Sequence, residues 1–294
     1  MSSWNRRGSA SWTFQFWSSG SRYGDKIFVS GLGLTRDPYR RTDEANMGVN
    51  IGMQRFHLPR RGRVTPPFFG EIGLILPDIK IVLARLNRIE HNGKFEGTAY
   101  EILAVQNNFI YLKSPWGIPM RLWNSGAQLF RGPNGANLCW YSRSTWHSKE
   151  TDQILPRIIE APVLIDKING ENAAICTVGP HQYLRFIERE IGNYNLYDFH
   201  VAYNITNYNE ARDIAASHGK IKREGTGQVC FVDGPFDSKN GKTILELQQE
   251  WWSVYHSDFM RSLVNRWPII SEPFSDQAEL TADLADFPKF SAGK

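Results

Sequence analysis

The sequence predicts a mainly β protein: antiparallel hairpins closed or stacked as a sandwich or barrel, then a smaller α+β C-terminal segment with one long C-terminal helix. Three observations carry this reading. Short apolar runs rich in β-branched and aromatic residues recur between residues 70 and 180. Turn chemistry separates them at Asn92-Gly93, Pro115-Trp116-Gly117, Pro133-Asn134-Gly135 and Asn169-Gly170. After residue 180 the pattern shifts toward capped, helix-like stretches.

The chain divides at Pro66-Pro67 and near residue 182. Residues 1–65 read as a basic N-terminal arm rich in Gly, Ser and Arg, with a strand pattern at Trp12, Phe14 and Phe16 and a second short strand at Lys26–Val29. Residues 66–182 read as the antiparallel β domain. There Ile79–Glu90 is an apolar run that turns at Asn92-Gly93 into Thr98–Val105. Phe109–Lys113 pairs with Met120–Trp123, Gln128–Arg131 with Asn137–Tyr141, and Val163–Ile168 with Ala173–Val178. Residues 183–294 read as the α+β segment: a short helix at Tyr183–Ile191, a strand at Leu196–Ile205 and a helix from Asn207 to Ser217 with Glu210 at the capping-box position. A strand at Gln228–Val232 follows, then a long helix from Thr243 to Trp267 and an acidic tail. No period is exact enough to announce a repeat architecture.

The chain has 294 residues, 41% of them hydrophobic, which is enough for one large or two ordinary cores. No run of about 18 apolar residues is present, so no membrane-spanning helix is expected. The N-terminus lacks the apolar core of a secretory signal. Cys139, Cys176 and Cys230 are few and scattered, which argues against a disulfide framework and fits an intracellular setting, cytoplasmic or nuclear, or the inside of a virion. The net charge of +4 is uneven. Residues 1–65 hold eleven Lys and Arg against four Asp and Glu, whereas residues 246–294 hold four against eight.

Four motifs bear on chemistry. The stretch from Gly234 to Thr243 resembles a phosphate-binding loop, but six residues rather than four separate Gly234 from Gly241, and too little chain follows to supply a magnesium carboxylate. A weak anion site at the helix start Gly241, Lys242 and Thr243 is the remaining reading, with Thr243 and Glu246 as a capping box. Ser114-Pro115-Trp116-Gly117 resembles the Asn-Pro-Trp-Gly segment of calpain-like cysteine proteases over four residues. Ser114 stands where that segment has Asn, and Cys139 follows the segment instead of preceding it, which argues against a nucleophile. The seven histidines show no metal-ligand spacing, so no metal and no cofactor are expected. His200 lies mid-strand, on the side of Asp198, and a site assembled from distant residues leaves no local signature. Last, the basic clusters Arg6, Arg7, Arg40, Arg41, Arg60, Arg61 and Arg63 lie near Trp4, Trp12, Tyr39 and Phe56. Arginines pair with phosphates, and aromatics stack on bases or fill interfaces.

Together these predict a non-enzymatic, self-assembling structural protein, viral coat-like or virion-associated, whose arm contacts a polyanion. The partners expected are copies of itself and nucleic acid, without a small-molecule substrate. The alternatives are a single-stranded nucleic-acid binder, or an enzyme with a dispersed site using the anion-binding helix start at Gly241–Thr243.

Overall fold

The computed structural model describes residues 12–16, 21–36, 46–51, 54–59, 68, 70–124, 136–142, 162–179, 182–188, 199–217, 221–233 and 247–256. The chain is mainly β, as its hairpin signals predict. The described strands form two sheets of eight, here sheet A and sheet B.

Both sheets are built from one unit: a strand, a connection that is helical in the three units where it is described, then three strands that return as an antiparallel meander. The first unit is β1 (Trp12–Phe16), a helical turn Ser21–Gly24 running into a π-helical turn Asp25–Gly31, then β2 (Thr35–Arg36), β3 (Asn46–Ile51) and β4 (Gln54–Pro59). The second is β5 (Gly70–Leu76), α1 (Ile79–His91), β6 (Glu101–Val105), β7 (Phe109–Lys113) and β8 (Pro119–Asn124). The third is β9 (Ala136–Ser142), β10 (Val163–Ile168), β11 (Glu171–Gly179) and β12 (Gln182–Glu188). The fourth is β13 (Phe199–Ile205), α2 (Tyr208–Ser217), β14 (Ile221–Gly225), β15 (Gln228–Asp233) and β16 (Leu247–Ser253).

In every unit the first strand lies parallel to the last: β1 with β4, β5 with β8, β9 with β12 and β13 with β16. Units then join antiparallel through their first strands. β1 meets β13 to complete sheet A, and β5 meets β9 to complete sheet B. The outermost units of the chain therefore share one sheet and the inner two share the other. This is a repeat of backbone plan that no residue pattern discloses.

Several expectations are corrected. Residues 12–59 contribute the four strands of one half of sheet A, so the region read as an arm belongs to the folded body. Lys26–Val29 lies in the π-helical turn, where Ile27 and Phe28 are buried. The run Ile79–Glu90 is a helix: Ile79, Val82, Leu86 and Ile89 share its buried face, and the Asp78 carboxylate accepts from the Lys80 and Ile81 amides at 2.8 and 3.3 Å. Gln182–Glu188 is a strand, in which Gln182, Leu184 and Phe186 are buried in alternation. Leu247–Ser253 is a strand within the stretch read as a long helix, paired on both sides by β13 and β15. Other readings hold. Asn169 and Gly170 have φ of 52° and 85°, the left-handed pair that an Asn-Gly hairpin turn requires. The helix after Asn207 spans Tyr208–Ser217.

One apolar core unites the two sheets, the π-helical turn, α1 and α2. Phe28 stacks on Phe56 of β4 at 5.3 Å and on Trp116 of the β7–β8 turn at 6.1 Å, bridging the sheets. A methyl group at Gly31 would lie 2.7 Å from the Leu86 side chain, so glycine is what lets the π-helical turn approach α1. Burial pushes the Cys176 thiol of β11 up to about 12, and Cys176 in turn helps raise the Tyr203 hydroxyl of β13 well above its ordinary range. Cys176 and Cys230 are free thiols. Among the described residues no helix is long and apolar enough to cross a membrane.

Candidate functional site

Strand alternation gives each sheet a core face and a second, polar face. In sheet A, Phe56, Val201, Tyr203 and Trp251 belong to the core. The residues between them, Arg55, His57, Ala202, Asn204, Gln248, Glu250 and Trp252, fall on the other face.

The register places four residues of that face in one row across the four central strands. His57 of β4 is level with Gln15 of β1, Gln15 with His200 of β13, and His200 with Gln248 of β16. His57 and Gln248 are half-buried. The next row on the same face runs from Asn50 through Arg55, Thr13, Ala202 and Glu250 to Cys230. Asn50, Arg55 and Glu250 are buried there at 3, 7 and 5% exposure. The Arg55 guanidinium lies over the Trp252 ring at 5.5 Å. Glu250 accepts from Arg223 Nη2 at 2.6 Å and from the Gln228 amide, so its charge is compensated. Burial, and then the Glu250 charge, raise the Cys230 thiol above its usual range and keep it protonated.

Two imidazoles and two carboxamides supply nitrogen and oxygen donors without formal charge. That set suits a borderline divalent ion of the zinc, nickel or iron type better than calcium or magnesium, which prefer carboxylates. The donor chemistry of the row therefore fits a metal. No local motif could have revealed it, because the row exists only once the strands are in register. The single hint in the sequence was His200, mid-strand.

Sheet B, with the same strand order, carries something else at its centre. The Arg121 guanidinium of β8 donates to both Glu71 oxygens of β5, at 2.8 and 2.9 Å. It is also stacked within 4.9, 4.6 and 5.8 Å of the Phe109, Tyr111 and Trp123 rings. Arg185 occupies the next row, level with position 139, itself level with Glu71. No histidine lies on the described strands of sheet B. This face is closed by an internal ion pair.

Most of the residues singled out in the sequence fall outside the described ones. Arg6, Arg7, Arg40, Arg41, Arg60, Arg61, Arg63, Trp4 and Tyr39 lie outside the described residues, and so do Gly241, Lys242 and Thr243. The segment that follows them, Leu247–Ser253, is a strand, which takes away the long helix on which the anion site was argued. Trp12 opens β1, and Phe56 is buried in the core at 1% exposure. The Ser114 hydroxyl accepts from the Ile118 amide at 3.1 Å, and this buried bond shapes the β7–β8 turn.

No family model matches the chain, and no curated protein matches it. Solved structures do. Glyoxalase I from Zea mays is similar with a TM-score of 0.60 at 11% identity, over 84% of this chain and 92% of the maize chain. A putative dioxygenase from Bacillus subtilis is similar with a TM-score of 0.56 at 10% identity, over 97% of this chain and 98% of that one. The chain thus shares its fold with these two structures. This corrects the coat-like, virion-associated and single-strand-binding readings, because the similar structures are a glyoxalase and a putative dioxygenase.

Proposed function

We propose that the chain is a divalent-metal-dependent enzyme acting on a small oxygen-bearing molecule at the polar face of sheet A. The observation that carries the reading is the row His57, Gln15, His200 and Gln248 on four adjacent central strands. The names of the similar structures, a glyoxalase and a putative dioxygenase, support it. An expected absence of small-molecule substrate gives way to this reading.

The four residues of the row would hold the ion, which when bound supplies Lewis-acid polarisation of a substrate oxygen. Arg55, two positions along β4 from His57 and steadied on Trp252, is placed to orient an anionic oxygen of the ligand. Glu250, tied to Arg223 and Gln228, holds the neighbouring strands rather than acting as a free base. The buried Asn50 and Trp252 restrict water on this side of the row.

The test is metal binding by the purified chain. After chelator dialysis, nickel, zinc and manganese are titrated calorimetrically and the bound ion is counted by mass spectrometry. A stoichiometric ion that is lost in His57→Ala and in His200→Ala supports the reading. A wild-type chain that takes up no divalent ion refutes it.

A further inference from the structure

The polar face of sheet B holds a positive charge that its central ion pair leaves out. Arg121 and Glu71 neutralise each other through bonds of 2.8 and 2.9 Å. Arg185 of β12 stands outside that pair. Strand alternation puts it on the same face, since its neighbours Leu184 and Phe186 belong to the core. Its Nε is buried without a hydrogen-bond partner. The other described carboxylates of the face are engaged or distant. Glu101 receives Lys113 Nζ at 2.7 Å near the far edge of the sheet. Asp166 lies two strands away on β10 and one row further along, level with Ala173 and Ile187. Glu171 is further still, level with Ile168.

The place of Arg185 is central. Its row crosses β12, β9 and β5 through Arg185, position 139 and Glu71. In sheet A the strands of the same rank, β16, β13 and β1, carry Gln248, His200 and Gln15. Arg185 thus stands in its sheet where Gln248 stands in the other. Glu71 is two interstrand spacings away, about 10 Å. Beyond it the Arg121 guanidinium is stacked against Phe109, Tyr111 and Trp123. Arg185, Glu71, Arg121 and the three rings are all partly exposed, so solvent reaches this stripe of the face.

A guanidinium whose buried nitrogen lacks an acceptor is suited to a planar anion, which it can grip with parallel bonds. The neighbouring rings offer flat apolar surface, which favours another ring. We propose that this face binds a small aromatic carboxylate. The carboxylate oxygens accept from Arg185, and the aromatic body lies toward the rings around Arg121. Glu71 is already compensated by Arg121, so it does not oppose the incoming charge. The site shares no residue with the row His57, Gln15, His200 and Gln248, and it stands apart from the activity proposed above.

The test is calorimetric titration of the full chain with 2-naphthoate after chelator dialysis, which leaves no divalent ion to take the carboxylate. One equivalent is expected to bind. Arg185→Gln should weaken it by about 10-fold or more, the worth of a charged hydrogen bond, with an unchanged circular dichroism spectrum. The neutral isostere 2-naphthamide should bind the wild-type chain more weakly by a similar factor, and acetate, which lacks the ring, should also bind more weakly. Tyr111→Leu should reduce affinity for 2-naphthoate, whereas His57→Ala should leave it unchanged. A wild-type chain that takes up no 2-naphthoate overturns the proposal. So does binding that Arg185→Gln leaves intact, or equal affinity for 2-naphthoate and 2-naphthamide, a comparison that needs no variant to fold.

Discussion

Sheets A and B share strand order, strand polarity and the same four-strand unit, yet their central polar faces are chemical opposites. In sheet A the register sets His57, Gln15, His200 and Gln248 level on four adjacent strands. In sheet B the same central strands bring Glu71 and Arg121 together, neutralised by each other and covered by three aromatic rings. One backbone plan thus carries a row of histidines and glutamines in one half and an ion pair in the other. Chemistry resides in the few side chains that reach the centre of a sheet, while the plan itself is indifferent to them.

The strongest challenge to this contrast is metal affinity. His57→Ala or His200→Ala should weaken nickel or zinc binding by about 100-fold or more, since even supporting residues around a metal are worth 10–100-fold. Glu71→Gln should leave it unchanged in the same calorimetric titration. Equal losses in both sheets would end the distinction.

Stability should show the reverse preference. Glu71→Gln strips the partner from a guanidinium that is 27% exposed, and should cost about 2 kcal/mol in urea unfolding. Arg121→Leu added to it should recover part of that loss, which reveals coupling. The helices sharpen the contrast further. Asp78→Ala removes a cap that accepts two amides of α1 and should cost about 1 kcal/mol. Asn207→Ala should cost less, because the Asn207 amide engages the Glu210 side chain.

A last test is alkaline. Burial holds the Cys176 thiol up to about 12, so its stabilisation is complete below the ordinary thiol range and is lost as pH rises toward that value. The urea midpoint should fall between pH 9 and 12, and fall less steeply in Cys176→Ala.

Local chemistry made some of the fold legible. Asn169-Gly170 announced its hairpin because left-handed φ is a property of two residues. The Asn207 helix was readable from its cap, and β7 and β8 from the turn at Gly117. Where tertiary context decides, the reading failed. Ile79–Glu90 has a β-branched start, but its buried residues follow a helical period that Asp78 nucleates. Leu247–Ser253 fits a helical apolar pattern, yet neighbours on both sides draw it into a strand. The row His57, Gln15, His200 and Gln248 was least accessible of all. Its members become neighbours only through the parallel pairing of β4 with β1 and of β13 with β16, a register that no local pattern encodes.

The order in which the units pair bears on how the chain emerges during synthesis. Sheet B is assembled from residues 70–188 and can close while the ribosome is still working. β1 must wait, its antiparallel side unsatisfied, until β13 and then β16 appear more than 180 residues later. β1 and β13 are thus made far apart in time and paired together. A chain interrupted after β12 would keep one finished half and carry an orphaned leading edge, a natural mark for chaperones.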